Sequence, residues 1–459
     1  MLLILKVNKA TCDSGEPVSF ADFVAPCFLN NFVFASEVKY IFLLLLFFYQ
    51  SAKLEQISDY AKYLFLILPQ SKYLAITSLF LSAFYNLNTS FSFLNAIAKR
   101  FTMVLTLRLL LLAFLAPVLL FAQTTAPKYS NEFMNIGAGA AALGMSNTAV
   151  SMVDDVTAGY WNPAGLNRLK SKYEGALMHS EYFAGIAKYD YGAIALRLDT
   201  SSSLAVSLVR FGVDNIPDTR FLYDANGTIN YGNVRSFAVA DYGTLISYAR
   251  KNVLLRNLNL GANFKIIRRQ VGQFASAWGF GLDFGAQYQY KKWRFGFVAR
   301  DVTGTYNAWS FNTDELKDVF LLTGNRIPEN SVEVTLPKWL LGASRYVSFY
   351  DKIGLNMGID ADFTFDGKRN TLIQSKAVSI DPKIGLEANY VKVVYLRAGM
   401  GNVQKIKDFN QENKLTPQFN FGVGIRIKKI QIDYALANVG DVRSNGLYSN
   451  VFSLKIGVQ

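Results

Sequence analysis

From about residue 171 to the end, apolar and polar positions alternate with a period of two, the signature of strands lying between two different environments. In ASAWGFGLDFGAQYQY one parity carries Trp278, Phe280, Leu282, Phe284, Tyr288 and Tyr290, and the other carries Ala277, Gly279, Gly281, Asp283, Gly285, Gln287 and Gln289. KIGLNMGIDADFTF and PQFNFGVGIRIKK repeat the pattern, with Asp360 and Asp362 on the polar side of the first and Arg426 on that of the second. A soluble sandwich also alternates. These runs, however, reach the ~9–11 residues that a tilted strand needs to cross hydrocarbon, and their small or polar faces carry full charges that a dry core does not tolerate unpaired.

Fourteen strands are predicted, near 171–182, 186–198, 203–215, 237–249, 256–268, 275–289, 292–302, 338–349, 352–365, 382–390, 393–402, 417–427, 430–437 and 450–458. Long connections follow the third, seventh, ninth, eleventh and thirteenth, near 216–236, 303–337, 366–381, 403–416 and 438–449. Short ones such as residues 199–202, Lys291-Lys292, Tyr350-Asp351 and Lys428-Lys429 follow the even-numbered strands. Long loops on one rim and short turns on the other describe a barrel of the outer-membrane type. Lysines at the short turns, with Trp278, Tyr288, Tyr290, Trp293 and Trp339 near strand ends, fit an interfacial girdle. The expected fold is thus all-β, a 14-stranded antiparallel transmembrane barrel over residues 171–459. In the longest loop, TDELKDVFLL (residues 313–322) has the pattern of a short helix.

The other end of the chain differs in kind. Residues 1–102 contain one glycine, Gly15, whereas the remainder holds 32 of the 33. At Met103 a secretory signal begins: Arg108, an apolar core over 109–121, then Ala122 before Gln123, the expected cleavage point. Residues 103–122 are therefore read as a signal peptide and residues 1–102 as a start assigned too early, a membrane-anchored extension being the competing reading. No cysteine follows the apolar core, which excludes a lipoprotein signal. Residues 123–170 would then precede the barrel as a hatch segment.

Composition mostly excludes. The two cysteines, Cys12 and Cys27, leave the rest of the chain without thiols for disulfides, zinc or nucleophilic catalysis. A single histidine, His179, gives a hydrolase no credible base, and its plain reading is a polar strand residue. No cofactor, metal or catalytic site is expected. The net charge of +13 contains no basic run, so nucleic acid is not an expected partner. The glycine runs, GVGIR among them, precede no helix that could receive a phosphate.

The stretch NIGAGAAALGMSNTAVSMVDDVTAGYWNPAGL, residues 135–166, carries a family likeness. Its small-residue run 137–142, Leu143-Gly144, Asp154-Asp155 and the block Tyr160, Trp161, Asn162, Pro163, Ala164, Gly165 and Leu166 resemble the N-terminal signature of the PorV/PorQ outer-membrane proteins of type IX secretion. The stretch is similar, more distantly, to FadL-type fatty-acid transporters. The resemblance implies a lumenal N-terminal hatch in the outer membrane of a Gram-negative bacterium. It also implies a non-enzymatic role in type IX secretion or gliding, with translocon or attachment-complex proteins, secreted cargo and outer-membrane lipids as partners. The alternative is a FadL-like channel with a hydrophobic ligand or lipid in its lumen. The last strand lacks a C-terminal Phe, and the long loops match no family motif.

Within DDVTAGYWNPAGL, Asn162-Pro163 biases the chain out of helix and Gly165 is expected to permit a turn. Asp154 and Asp155 are expected to accept from hatch backbone donors or lumenal arginines. Arg294, Arg300, Arg397 and Arg426, facing Asp283, Asp360, Glu387 and Asp433 on the polar parity, are expected to form a lumenal ion-pair network that holds the hatch.

Overall fold

In the computed structural model the described residues are 130–458, apart from 225, 351, 408–410 and 439–447. The expected signal peptide, the Ala122/Gln123 cleavage point, residues 1–102 and the start of the hatch lie outside them.

The strands, in chain order, are β1 (Tyr173–Tyr182), β2 (Ala187–Arg197), β3 (Ser202–Asp218), β4 (Arg235–Lys251), β5 (Leu258–Val271), β6 (Ala275–Tyr290), β7 (Trp293–Arg300), β8 (Thr305–Phe311), β9 (Ser331–Thr335), β10 (Lys338–Phe349), β11 (Ile353–Thr364), β12 (Ile373–Gln374), β13 (Ser379–Tyr390), β14 (Val394–Lys407), β15 (Asn413–Ile427), β16 (Ile430–Ala437) and β17 (Ser449–Val458). Without β8, β9 and β12, the other fourteen pair antiparallel in a ring that closes where Tyr173 of β1 meets Val458 of β17. Closure removes both edges, as lipid requires of a sheet.

The sidedness is that of a barrel in hydrocarbon. In β6, Ala277, Gly279, Asp283, Gly285 and Gln287 are buried while Trp278, Phe280, Phe284 and Tyr288 are exposed. In β15, Gln418, Asn420, Gly422 and Gly424 are buried and Phe419, Phe421, Val423 and Ile425 exposed. A wall whose polar face is inside and whose greasy face is outside is stable only with lipid around it.

The structure adds detail at the long-loop rim. Thr305 pairs with Thr335 where Arg300 pairs with Lys338, so β7 with β8, and β9 with β10, are wall strands interrupted at the same level. The first interruption is the turn 301–304, where Asp301 and Gly304 adopt positive φ; the second is Leu336-Pro337. The β8–β9 hairpin lies inside what the sequence presents as one long loop, with a helix between its strands at Thr313–Leu322. Trp278, Tyr288, Tyr290 and Trp293 are exposed as a girdle requires. Trp339 is not: the chain after β11 folds back and sets Phe365 edge-on against it at 4.8 Å, so the ring is buried by a loop rather than presented to lipid.

Candidate functional site

Residues 130–170 fill the lumen. A 3-10 turn (Glu132–Asn135) buries Phe133 and Met134, helix α1 (Ala140–Leu143) packs against β15, β16 and β17, and helix α2 (Ala158–Trp161) leads through Asn162 into a second 3-10 turn, Pro163–Arg168. Asn162 is extended, as the residue before proline prefers to be. Gly165 has no positive φ; it is required by close packing, since a Cβ there would lie 2.7 Å from the Val153 carbonyl oxygen.

The aromatic pair ties the two halves of the hatch together. Tyr160 Oη donates to the Met134 carbonyl at 2.6 Å and accepts from Gly137 N at 3.0 Å, while Trp161 Nε1 donates to the Ala138 carbonyl at 2.8 Å. Burial pushes the Tyr160 hydroxyl up from its usual value, so it remains a donor. Asn162 is fully buried and uses both ends of its amide, donating to the Val150 and Ala286 carbonyls and accepting from Ala164 N.

Wall side chains hold hatch backbone. Asp360 Oδ2 accepts from Ala149 N at 2.8 Å and Val150 N at 2.9 Å, and Gln287 donates to the Val150 and Val153 carbonyls. Asn263 donates to the Gly159 carbonyl, Arg300 to those of Tyr160 and Met134, and Arg294 to that of Met152. Where the hatch runs flush with the wall, the wall has no side chain. A Cβ on Gly399 would lie 2.2 Å from the Met145 carbonyl carbon, one on Gly296 2.4 Å from the Val150 carbonyl oxygen, and one on Gly261 2.5 Å from Pro163. Gly422 and Gly144 meet backbone to backbone, a Cβ on Gly144 lying 2.9 Å from the Gly422 Cα.

The charged residues form separate clusters rather than one arginine-carboxylate network. One runs from hatch to wall: Asp155 pairs with Lys455 at 2.6 Å, Lys455 reaches Asp433 at 3.7 Å, and Arg397 bridges Asp433 at 2.8 Å and Glu387 at 2.7 Å. Burial pushes the Asp155 carboxyl up, but Lys455 and the Thr157 hydrogen bonds outweigh it and hold it well below the usual carboxylate range. A second cluster is Lys265 with Asp283 (2.9 Å) and Asp301 (2.6 Å). A third is Arg369 with Glu132 (2.9 Å) and Asp366; burial works against the guanidinium charge, yet Asp366 and Glu132 keep it held above its usual value. Asp154 pairs with Lys170 at 3.3 Å and lies 3.8 Å from Arg294.

Of the expected network, Arg397 meets Glu387 and Asp433. Asp283 instead takes a lysine, Asp360 takes backbone N–H groups, Arg300 and Arg294 serve carbonyls of the hatch, and Arg426 donates to Gln431. The hatch supplies more backbone carbonyls than carboxylates, and arginines nearest them are used there. Lys265, Lys455 and Gln287 were legible only as polar residues on the inward parity, and loop residue Arg369 carried no signal. His179 faces outward, 2.7 Å from Asp190.

Two of the chambers among the described residues have no lining residue in common. Toward the long-loop rim lies a cavity of about 490 Å³ lined mainly by amides and charges, among them Asn147, Asp362, Asp381, Lys383, Gln404 and Asn420. Toward the short-turn rim lies one of about 420 Å³ that includes Asp154, Asp155, Arg294, Glu387, Arg397 and Lys455. The hatch from α1 to Ala149 separates them. A different hollow, about 560 Å³, opens on the membrane face of β6, β7, β10 and β11. Outward Ala286, Ala343 and Ala361 make it, Tyr288, Phe295, Phe297, Leu341 and Ile359 surround it, and Gly296 paired with Gly342 forms its floor. Behind that floor lie Val150 and the Asp360 carboxylate.

No protein-family model and no curated relative matches the chain. Among solved structures, the toluene transporter TbuX of Ralstonia pickettii is similar at 14% identity and a TM-score of 0.41, covering 70% of this chain and 99% of that one. A monoaromatic hydrocarbon channel, CymD, is similar at 12% identity and a TM-score of 0.44, covering 71% and 98%. A FadL homologue of Pseudomonas aeruginosa is similar at 13% identity and a TM-score of 0.42, covering 69% and 97%. None of these three is described as a PorV or PorQ protein.

Proposed function

We propose that the protein is a hatch-gated, FadL-like channel in the outer membrane of a Gram-negative bacterium, passing hydrophobic small molecules laterally between membrane and lumen. The observation that carries this reading is the membrane-face recess. Its lining is apolar apart from Asp360, it faces outward where a hydrophobic solute would meet the wall, and the glycine pair at its floor abuts the Asp360-held turn of the hatch. Both lumenal chambers mix amides and charges with apolar side chains such as Leu143 in one and Met145 and Trp161 in the other, so neither is as apolar as the recess. Its route would begin at the recess and require both the Gly296–Gly342 pairing of the wall to part and the hatch turn 148–152 to move.

The test fills the recess from outside. Ala343→Trp with Ala361→Trp adds bulk on the outward face without touching the hatch. Uptake of a hydrophobic probe by proteoliposomes carrying the double variant should fall several-fold, with ion conductance unchanged. Uptake equal to that of the wild type overturns the lateral route.

A second reading, a barrel that receives or shuttles secreted cargo with type IX translocon or attachment-complex proteins, is favoured by one observation. The hairpin inserted at the long-loop rim carries a helix whose last residues, Leu321 and Leu322, are exposed, the latter at 88%. Such residues suit a protein contact. Co-purification of secretion partners that is lost on Leu321→Glu with Leu322→Glu would support it, and unchanged recovery would count against it.

A further inference from the structure

The net positive charge of residues 130–459 is confined to one rim. Residues 130–459 contain 37 Lys and Arg against 28 Asp and Glu. Segments 170–172, 197–202, 250–257, 291–292, 350–352, 391–393 and 428–429 hold twelve of the bases and two of the acids, leaving 25 against 26 everywhere else. These segments are the chain entry to β1 and the six short turns, and ten of the twelve bases are exposed. Lys291, Lys292, Lys392, Lys428 and Lys429 have no carboxylate partner among the described residues, whereas the lumenal lysines Lys265, Lys383 and Lys455 are each paired.

The same turns are greasy. Between Lys251 and Arg256 stand Val253, Leu254 and Leu255, the middle one 72% exposed; Val391 and Val393 flank Lys392; Ile427 and Ile430 flank Lys428 and Lys429, all exposed. Lys291 lies over the Tyr290 ring at 5.3 Å and Lys172 over that of Tyr173 at 5.4 Å, so the ammonium groups sit level with girdle aromatics. Exposed apolar tips interleaved with unpaired cations at the height of the aromatic belt suit the headgroup layer of a bilayer, and would be costly facing water alone.

We propose that the short-turn rim is a collar that binds the phosphodiester headgroups of anionic phospholipids in the leaflet it faces. Each cation near such a surface adds attraction, and the apolar tips set the depth. The collar binds lipid whether or not the lumen conducts, and so stands apart from the channel reading.

The experiment incubates the purified full chain in mixed micelles containing equal phosphatidylglycerol and phosphatidylcholine, and reads bound lipid by native mass spectrometry. The wild type should retain phosphatidylglycerol preferentially, and less so as salt rises. The variant Lys291→Glu, Lys292→Glu, Lys428→Glu, Lys429→Glu should lose on the order of a thousandfold of that preference. Should the reversal variant fail to fold, by heat-modifiable migration, the corresponding Lys→Gln variant is measured, with a smaller loss expected. Absence of preference in the wild type, an unchanged preference in the folded variant, or displacement of the lipid by millimolar inorganic phosphate would each overturn the collar. So would capture of an acidic soluble protein by a rim indifferent to lipid charge.

Discussion

Asp360→Ala isolates the contact between wall and hatch turn. Asp360 is 1% exposed, and one of its oxygens accepts two backbone N–H groups of the hatch, from Ala149 and Val150, at 2.8 and 2.9 Å. Removing the acceptor leaves two buried N–H groups unmet at about 1–3 kcal/mol each, so the pair is worth roughly 2–6 kcal/mol gross. Part of that is offset, because the other oxygen, Oδ1, is buried without a hydrogen-bond partner among the described residues, a cost that the alanine removes. A net loss near ~3 kcal/mol remains, which shifts the seated-to-displaced ratio of the turn by about a hundredfold. The direct assay is hydrogen exchange at the Ala149 and Val150 amides in the reconstituted barrel: their protection should drop by that factor while amides of β3 and β4 keep theirs. Asp360→Asn, which retains a neutral acceptor, should fall between. Planar-bilayer conductance should rise in the same order. Equal protection of both amides in wild type and the alanine variant refutes the assignment of Asp360 as the latch.

Three further outcomes are expected. Because Asp155 is held below its unfolded value, about 3.9, its contribution to hatch seating is complete above that pH and disappears as pH falls through the folded value. Hatch protection should therefore decline on acidification below about pH 4 in the wild type, and decline less in Asp155→Asn; identical profiles would contradict the Asp155–Lys455 link. Gly399→Leu places a side chain where the Met145 backbone lies, so the barrel should still migrate as folded while the hatch becomes protease-sensitive, a seat costing at least ~1–3 kcal/mol. Arg397→Met leaves Glu387 without its arginine and Asp433 with Lys455 alone, at 3.7 Å, and should lower barrel stability by about 3–5 kcal/mol in a denaturant titration, partly recovered when Glu387→Gln and Asp433→Asn are added.

The wall was legible because each strand separates lipid from lumen, and that single difference sets the alternation. Boundaries at the short turns fall within a residue or two of the expected ones. At the long-loop rim the strands overrun: β14 continues to Lys407 and β15 begins at Asn413, well past the expected ends. Beyond the hydrocarbon the two faces meet the same water, and alternation no longer reports where pairing stops. The interruptions at residues 301–304 and at Leu336-Pro337 were hidden likewise, since a strand that breaks and resumes reads as a loop.

The hatch was legible as a motif and illegible as a set of contacts. Asp360 and Asp283 stood out as inward carboxylates, but their partners come from chain segments more than a hundred residues away or from strands whose register must be known. The glycines show the same limit from the other side. On the inward parity Gly261, Gly296, Gly399 and Gly422 read simply as small residues; what makes them necessary is the hatch backbone pressed against them. Charge behaved in the opposite way. Its sum, without a basic run, placed the excess nowhere in particular, whereas topology shows that residues 130–459 are nearly neutral outside the short-turn rim. The charges that hold the hatch therefore balance in sum, some in pairs and some against backbone, and the surplus cations lie at turns where most of them meet no carboxylate.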